Sequence, residues 1–259
     1  MEVRMNGKTK RKILVVDDEI NVCKSIYQAI ESDDYEVDTA LSGEEALKKD
    51  KEKSYDLIIT DLMMPGISGM DLLTSLKTVR PEVIVIIITG YPTIKTAVQS
   101  VKIGAFDYLP KPFTPNDLRG LVSRALKSEK RKSEDRPLPP MPEDLFVMKG
   151  HTWVHKEGKN LVTVGILPEF LRSIVSISHL ELQKENKSIF QGEVCARITD
   201  DEGHVHRVWS PVTGRVVQTN EKLKENATLL KTDPYGKGWL LRIESPDIEK
   251  DLESLSPLK

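Results

Sequence analysis

Five polar side chains stand where short apolar runs end. Asp17 and Asp18 follow Ile13–Val16, Asp61 follows Leu57–Thr60, Thr89 closes Val83–Thr89, and Lys111 lies just beyond Phe106–Leu109. Runs of this kind read as buried strands. In an open parallel sheet, ligands bind beyond the carboxyl ends of the strands, so all five groups fall on one rim. Three carboxylates in one pocket repel unless a cation joins them, and hard oxygen ligands suit Mg²⁺. Mg²⁺ polarises a phosphoryl group and offsets the charge that builds during its transfer. On this reading Asp61 is the nucleophile that forms an acyl phosphate. Asp17 and Asp18 serve the metal, Lys111 faces the phosphoryl oxygens as a point charge, and the Thr89 hydroxyl donates to one of them. Taken singly, an Asp at a strand end is as well explained as a turn residue or a helix cap. The joint fit to one site favours the chemistry.

The elements that must hold these groups are legible around them. Between the strand-like runs, which include Val37–Ala40, lie amphipathic stretches. Ile20, Cys23, Ile26, Tyr27 and Ile30 share one helical face, as do Leu118, Leu121, Val122, Ala125 and Leu126. Ser42 with Glu45 offers a capping box, and Thr114, Pro115 and Asp117 spell a helix start. Five strands alternating with five helices predict a doubly wound α/β domain around a five-stranded parallel sheet, flavodoxin-like in class.

Residues 128–143, SEKRKSEDRPLPPMPE, combine charges with four prolines and no apolar period, which predicts a linker. The expected domains are therefore 1–127, the linker 128–143, and 144–259. Beyond the linker, β-rich runs at Trp153–Val154, Leu161–Ile166, Ile174–Ser178, Glu193–Ile198, Val205–Trp209, Arg215–Gln218 and Trp239–Ile243 predict a small, mainly β sandwich or barrel. Pro168–Ser173 reads as one or two helical turns, and Pro246–Leu255 as a short closing helix.

Of the 259 residues, 39% are hydrophobic and 30% charged, with a formal net charge of −2, which fits a globular protein and gives no general pull on nucleic acid. No apolar run approaches the length needed to cross a bilayer, and the polar, basic start does not resemble a targeting segment, so a cytoplasmic location is expected. Cys23 and Cys195 stand alone and read as half-buried thiols rather than as a disulfide. All five histidines fall in the second half. His204 and His206 share one side of a strand, a start for a metal site that no cysteine or carboxylate pair in a known spacing completes.

The segments ILVVDDE, DLIITDLMMPGISGMDLL, IIITGYPT and GAFDYLPKPF resemble the receiver domain of two-component response regulators, over roughly residues 11–130 and in the manner of nitrogen-regulator-type activators. The resemblance implies phosphotransfer from a histidine kinase or phosphotransfer protein to Asp61. It implies Mg²⁺ held by Asp18, Asp61 and the backbone carbonyl of Met63, with Asp17 acting through water. It further implies a switch in Thr89 and Tyr108, and a cis bond before Pro112. Its only enzymatic activity would be self-phosphorylation and dephosphorylation. Met63 and Tyr91 occupy positions that in this family flank the path of attacking water, and their bulk predicts a persistent phosphoryl group. Receivers of this family often form dimers on phosphorylation.

HTWV, TVGI, SPVTGRVVQTNE and DPYGKGWLLRI resemble the H protein of the glycine cleavage system, over roughly residues 145–254. That family carries lipoate on a lysine at a hairpin tip. Counting back seven residues from Ser210-Pro-Val points to Gly203, and counting forward from Gly192 points to Glu202. No lysine lies between Ile198 and Trp209, and lipoylation needs an amine, so lipoate is not expected. The leading expectation is a response regulator whose H-protein-like module acts through an unidentified protein partner. A phosphorylation-regulated lipoyl carrier and a DNA-binding regulator are the alternatives. No helix-turn-helix segment or ATPase phosphate loop supports the latter.

Overall fold

The computed structural model describes residues 10–91, 94–131, 139–172, 174, 176–253 and 255–257. They fall into two compact units, one of residues 10–91 with 103–118, the other of 94–102 with 119 onward. In chain order the first half holds β1 (Arg11–Val16), α1 (Ile20–Ile30), β2 (Tyr35–Ala40), α2 (Gly43–Lys53), β3 (Leu57–Asp61), α3 (Gly69–Val79), β4 (Ile84–Thr89), α4 (Ile94–Ile103), β5 (Asp107–Pro110) and α5 (Pro115–Arg131). All of α4 but its last residue, and all of α5 after Leu118, belong to the second unit.

The first unit is built on the expected parallel sheet, in the order β2-β1-β3-β4-β5. Every residue of β3 and β4 is buried, so both faces of the central strands are covered. This is why the two strands read as unbroken apolar runs rather than alternating ones. Cys23, Ile26 and Ile30 of α1 and Leu72, Leu73 and Leu76 of α3 supply buried helical faces. The helix starts follow the local signals. Ser42 Oγ accepts from the Glu45 N–H at 3.2 Å, while the Glu45 carboxylate accepts from the Leu41 N–H at 2.8 Å. At α5 the exchange is reciprocal: Asp117 N–H donates to Thr114 Oγ1, and Thr114 N–H donates to Asp117 Oδ2.

The second half adds β6 (Leu145–Met148), β7 (Thr152–Lys156), β8 (Leu161–Ile166), α6 (Pro168–Arg172), β9 (His179–Leu182), β10 (Ser188–Ile189), β11 (Val194–Thr199), β12 (Val205–Trp209), β13 (Gly214–Thr219), α7 (Lys222–Glu225), α8 (Leu229–Thr232), β14 (Trp239–Glu244), α9 (Ile248–Glu253) and β15 (Ser256–Pro257). Seven strands form a sheet in the order β10-β13-β14-β8-β7-β6-β15, and three form another, β12-β11-β9. Val154, Val162, Val164, Ile198, Val208, Val216, Leu240 and Ile243 lie in one continuous apolar core. The expected strand at Ile174–Ser178 is absent from its described residues, and the strand starts at His179 instead. Its register against β11, with Ala196 opposite Leu182 and Ile198 opposite Leu180, seats Leu180 in the core. Both cysteines are fully buried rather than half-buried.

Candidate functional site

Register carries the rim residues together. Val16 of β1 lies opposite Thr60 of β3, so one further step sets Asp17 beside Asp61. Asp61 lies opposite Ile88, one step before Thr89, and Thr89 lies opposite Pro110, one step before Lys111. The Lys111 N–H donates to the Thr89 carbonyl at 2.7 Å, which anchors the chain as it leaves β5. The Lys111–Pro112 bond is cis.

The side chains then meet around one ammonium. Lys111 Nζ donates to Asp61 Oδ1 at 2.7 Å and to Asp17 Oδ2 at 3.0 Å, and both carboxylates are buried. Burial works against the charged lysine, but the bonds to Asp61 and Asp17 outweigh it and raise its pKa. The second Asp61 oxygen accepts from the Met63 N–H at 2.5 Å, so both oxygens of this carboxylate are held. Asp17 Oδ1 accepts from the Glu19 N–H at 3.0 Å. Thr89 is fully buried, and its hydroxyl oxygen accepts from the Tyr91 N–H at 3.1 Å. Tyr108 is buried in β5, whereas the Met63 and Tyr91 side chains are exposed.

Asp18 differs from the expectation of a tight three-carboxylate pocket. It is exposed, next along the chain from Asp17. Among the described residues, no three His, Cys, Asp or Glu side chains gather closely enough to hold a metal ion by themselves. The rim therefore consists of two buried carboxylates bridged by a lysine, with a third acid at its solvent edge.

One residue of this site went unnoticed in the sequence. Gly69 opens α3, and its N–H donates to the Leu62 carbonyl at 3.0 Å. A Cβ at this position would lie 2.0 Å from the Asp61 carbonyl oxygen, so only glycine lets the helix start this close to the strand end. The signal was present as the glycine pair of PGISG, which reads as a loop unless the fold is known.

In the second unit, the hairpin joining β11 to β12 holds the slot expected for lipoate. Asp200 is buried and organises the tip: its Oδ1 accepts from the N–H groups of Glu202 and His204, at 3.0 and 2.9 Å. Its Oδ2 lies 3.0 Å from His206 Nε2 and 3.3 Å from His204 Nδ1. Each histidine of the pair thus meets one carboxylate, four residues before His204 and six before His206, a partner that spacing rules for metal sites do not anticipate. Asp201 and Glu202 are exposed, as a turn at this place predicts.

The comparisons agree with both halves. The response regulator receiver domain family model matches residues 13–123, and the glycine cleavage H-protein family model matches residues 145–258. A transcriptional regulatory protein ZraR of Klebsiella oxytoca is 36% identical over 152 residues, 59% of this chain and 34% of that protein. The DNA-binding transcriptional regulator NtrC of Azospirillum brasilense is 38% identical over 116 residues, 45% of this chain and 24% of its own length. The chain thus spans about a third or less of these curated relatives. A receiver domain structure from Clostridium thermocellum is 42% identical and covers 46% of this chain and 97% of its own, with a TM-score of 0.44. An H protein structure from Mycobacterium marinum is 22% identical and covers 41% of this chain and 87% of its own, with a TM-score of 0.38. The chain carries a response regulator receiver domain of two-component signalling, joined to a glycine cleavage H-protein domain.

Proposed function

We propose that this chain is a response regulator phosphorylated on Asp61 by a histidine kinase or phosphotransfer protein, and that its H-protein-like module works by protein–protein interaction without lipoate. The observation that carries the first part is the Asp17–Lys111–Asp61 arrangement at the carboxyl edge of the parallel sheet. Residues 1–127 act as the receiver, 128–143 as a linker and 144–259 as the output module, in the cytoplasm. Among the described residues, no helix is long and apolar enough to cross a membrane.

Asp61 is a fixed nucleophile. With one oxygen on Lys111 and the other on the Met63 N–H, its carboxylate loses little further freedom on reaching an in-line attack. A new bond forms from an Asp61 oxygen to phosphorus, the phosphorus–nitrogen bond of the donor phosphohistidine breaks, and the electron pair stays on the imidazole nitrogen. Lys111 is placed to follow the phosphoryl oxygens, and Thr89 to donate its hydroxyl proton to one of them.

A divalent cation fits this rim. Mg²⁺ keeps several waters and needs only one or two carboxylates, so Asp18 and Asp61 with the Met63 carbonyl would hold it, and Asp17 would act through water. When bound, Mg²⁺ supplies charge neutralisation to the phosphoryl group. Thr89 and Tyr108 then act as the switch, with contacts made only in the phosphorylated form shifting the population.

The second part rests on the absence of any lysine from Ile198 to Trp209, the stretch that holds the lipoyl slot. The experiment is direct. Intact-mass measurement after incubation with Mg²⁺ and a small acyl phosphate should show one added phosphoryl group, and Asp61→Asn should show none. Equal labelling of the two proteins would remove Asp61 from this role. A pull-down comparing the phosphorylated chain with Asp61→Asn then seeks the partner.

A further inference from the structure

The loop that carries Met63 past Asp61 is anchored at its neck and again at its crest. At the neck, the Leu62 N–H donates to the Ile88 carbonyl and the Gly69 N–H to the Leu62 carbonyl, both at 3.0 Å, so residues 63–68 leave and return at one point. At the crest, Gly66 and Ile67 meet the first turn of α2. Glu44 Oε1 accepts from the Ile67 N–H at 3.1 Å. Gly66 has a φ of +75°, and a Cβ there would lie 2.7 Å from the same Glu44 oxygen. From the helix side, a Cβ on Gly43 would lie 2.7 Å from Ile67 Cβ and 2.8 Å from the Ile67 carbonyl oxygen. Two glycines thus let helix and loop close to the distance at which one carboxylate reaches one N–H.

The helix is the fixed side of this contact. Besides the Ser42–Glu45 capping box, the Ala46 N–H donates to the Ser42 carbonyl at 3.0 Å, and Lys49 Nζ donates to the Thr39 carbonyl at 2.6 Å, which ties α2 to the end of β2. The loop is the side that needs holding: Met63, Pro65 and Gly66 are exposed, and Pro65 has no N–H to give. Met63 lies between the two anchors, and its N–H is the one that holds Asp61 Oδ2.

We propose that Glu44 is a positioning residue for phosphoryl transfer to Asp61: by holding the crest of this loop it keeps the Met63 N–H aimed at Asp61 Oδ2, and so fixes the carboxylate for attack. The hold follows from the contacts of α2 with the loop, and its consequence for transfer rests on the assignment of Asp61 made above. Glu44 works as an acceptor and not as a charge. An uncharged side chain with an oxygen at the same place should do the same work.

Glu44→Ala and Glu44→Gln in the full chain test this, and Glu44 is exposed, so both variants keep the fold. Loss of one hydrogen bond of about 1 kcal/mol is about a fivefold change. In the metal-free chain, amide exchange at Met63, Gly66 and Ile67 should therefore speed by about fivefold in Glu44→Ala. With Mg²⁺ and a small acyl phosphate, the same variant should be phosphorylated about fivefold more slowly. Glu44→Gln should bring both readouts to within about twofold of the native chain, since its side-chain oxygen accepts the same bond. Native exchange or native phosphorylation in Glu44→Ala, or equal slowing in the two variants, would overturn the positioning role. Labelling of the native chain but not of Asp61→Asn would then leave the phosphoacceptor standing. If the native chain takes no label, or Asp61→Asn takes as much, the phosphoacceptor assignment fails and the positioning role fails with it.

Discussion

Asp61 and Asp17 each have both oxygens bonded, one to the Lys111 ammonium and one to a backbone N–H, whereas Asp18 is exposed. We propose that the residues near Asp61, Met63 and Tyr91, set how long a phosphoryl group on it lasts. Met63 and Tyr91 are exposed, bulky and without a basic group, so neither can activate the attacking water. Replacing both by small polar residues should shorten the phosphoryl lifetime, measured as loss of the added mass over time. An unchanged lifetime would show that these side chains do not control water. Gly69 should be as sensitive as the acids. Gly69→Ala would force the start of α3 away from the Asp61 carbonyl, costing about 2 kcal/mol in denaturant unfolding and slowing phosphorylation beyond that loss. A variant of native stability and native phosphorylation would show that the approach is not tight.

At the scale of elements, the hairpin carries a built-in acid sensitivity. Burial, and then the charge of Arg124, hold the pKa of His206 down at about 4, against the Asp200 hydrogen bond that raises it. The neighbouring titratable groups are Asp200 and His204. An unfolded His206 binds its proton near 6.5, whereas the folded one resists until about 4. Its stabilising contribution is therefore complete above pH 6.5 and declines as pH falls to about 4, by at most about 1.4 kcal/mol per pH unit. His206→Asn should flatten this part of the stability curve when unfolding is followed between those pH values. Parallel curves for the two proteins would contradict a neutral, buried His206.

At the scale of the whole molecule, the two family domains imply opposite chemistries at their key positions. The receiver has acids and a lysine where we propose phosphoryl transfer, whereas the slot at which we expect a lipoyl lysine falls on Glu202 or Gly203. Expression beside a lipoyl ligase followed by intact-mass and peptide analysis should show no lipoyl adduct. An adduct on any lysine would restore the carrier reading and refute the interaction-module reading.

How much of this was legible from sequence differs between the halves for a physical reason. In the receiver, the central strands β3 and β4 are buried on both faces, and β1 and β3 end at acids, so apolar runs and their punctuation marked the sheet and the rim directly. The amphipathic faces of α1 and α5 were equally plain. In the β domain, strands such as β6, β9 and β10 are short and gain their identity from pairing. Leu145–Met148 is a four-residue apolar run that becomes a strand by lying against β7, and the apolar run at Ile174–Ser178 gives way to His179–Leu182 because β11 fixes the register.

The sequence by itself determined the two domain families and the absence of lysine between Ile198 and Trp209, since both depend on residue type at a spacing. Only the tertiary structure decided that Lys111 bridges Asp17 and Asp61, that Gly69 admits α3 to the strand end, and that Gly120 of α5 approaches His204 and Val205 at the start of β12. Those depend on contacts between residues distant in the chain, whose geometry no local pattern encodes.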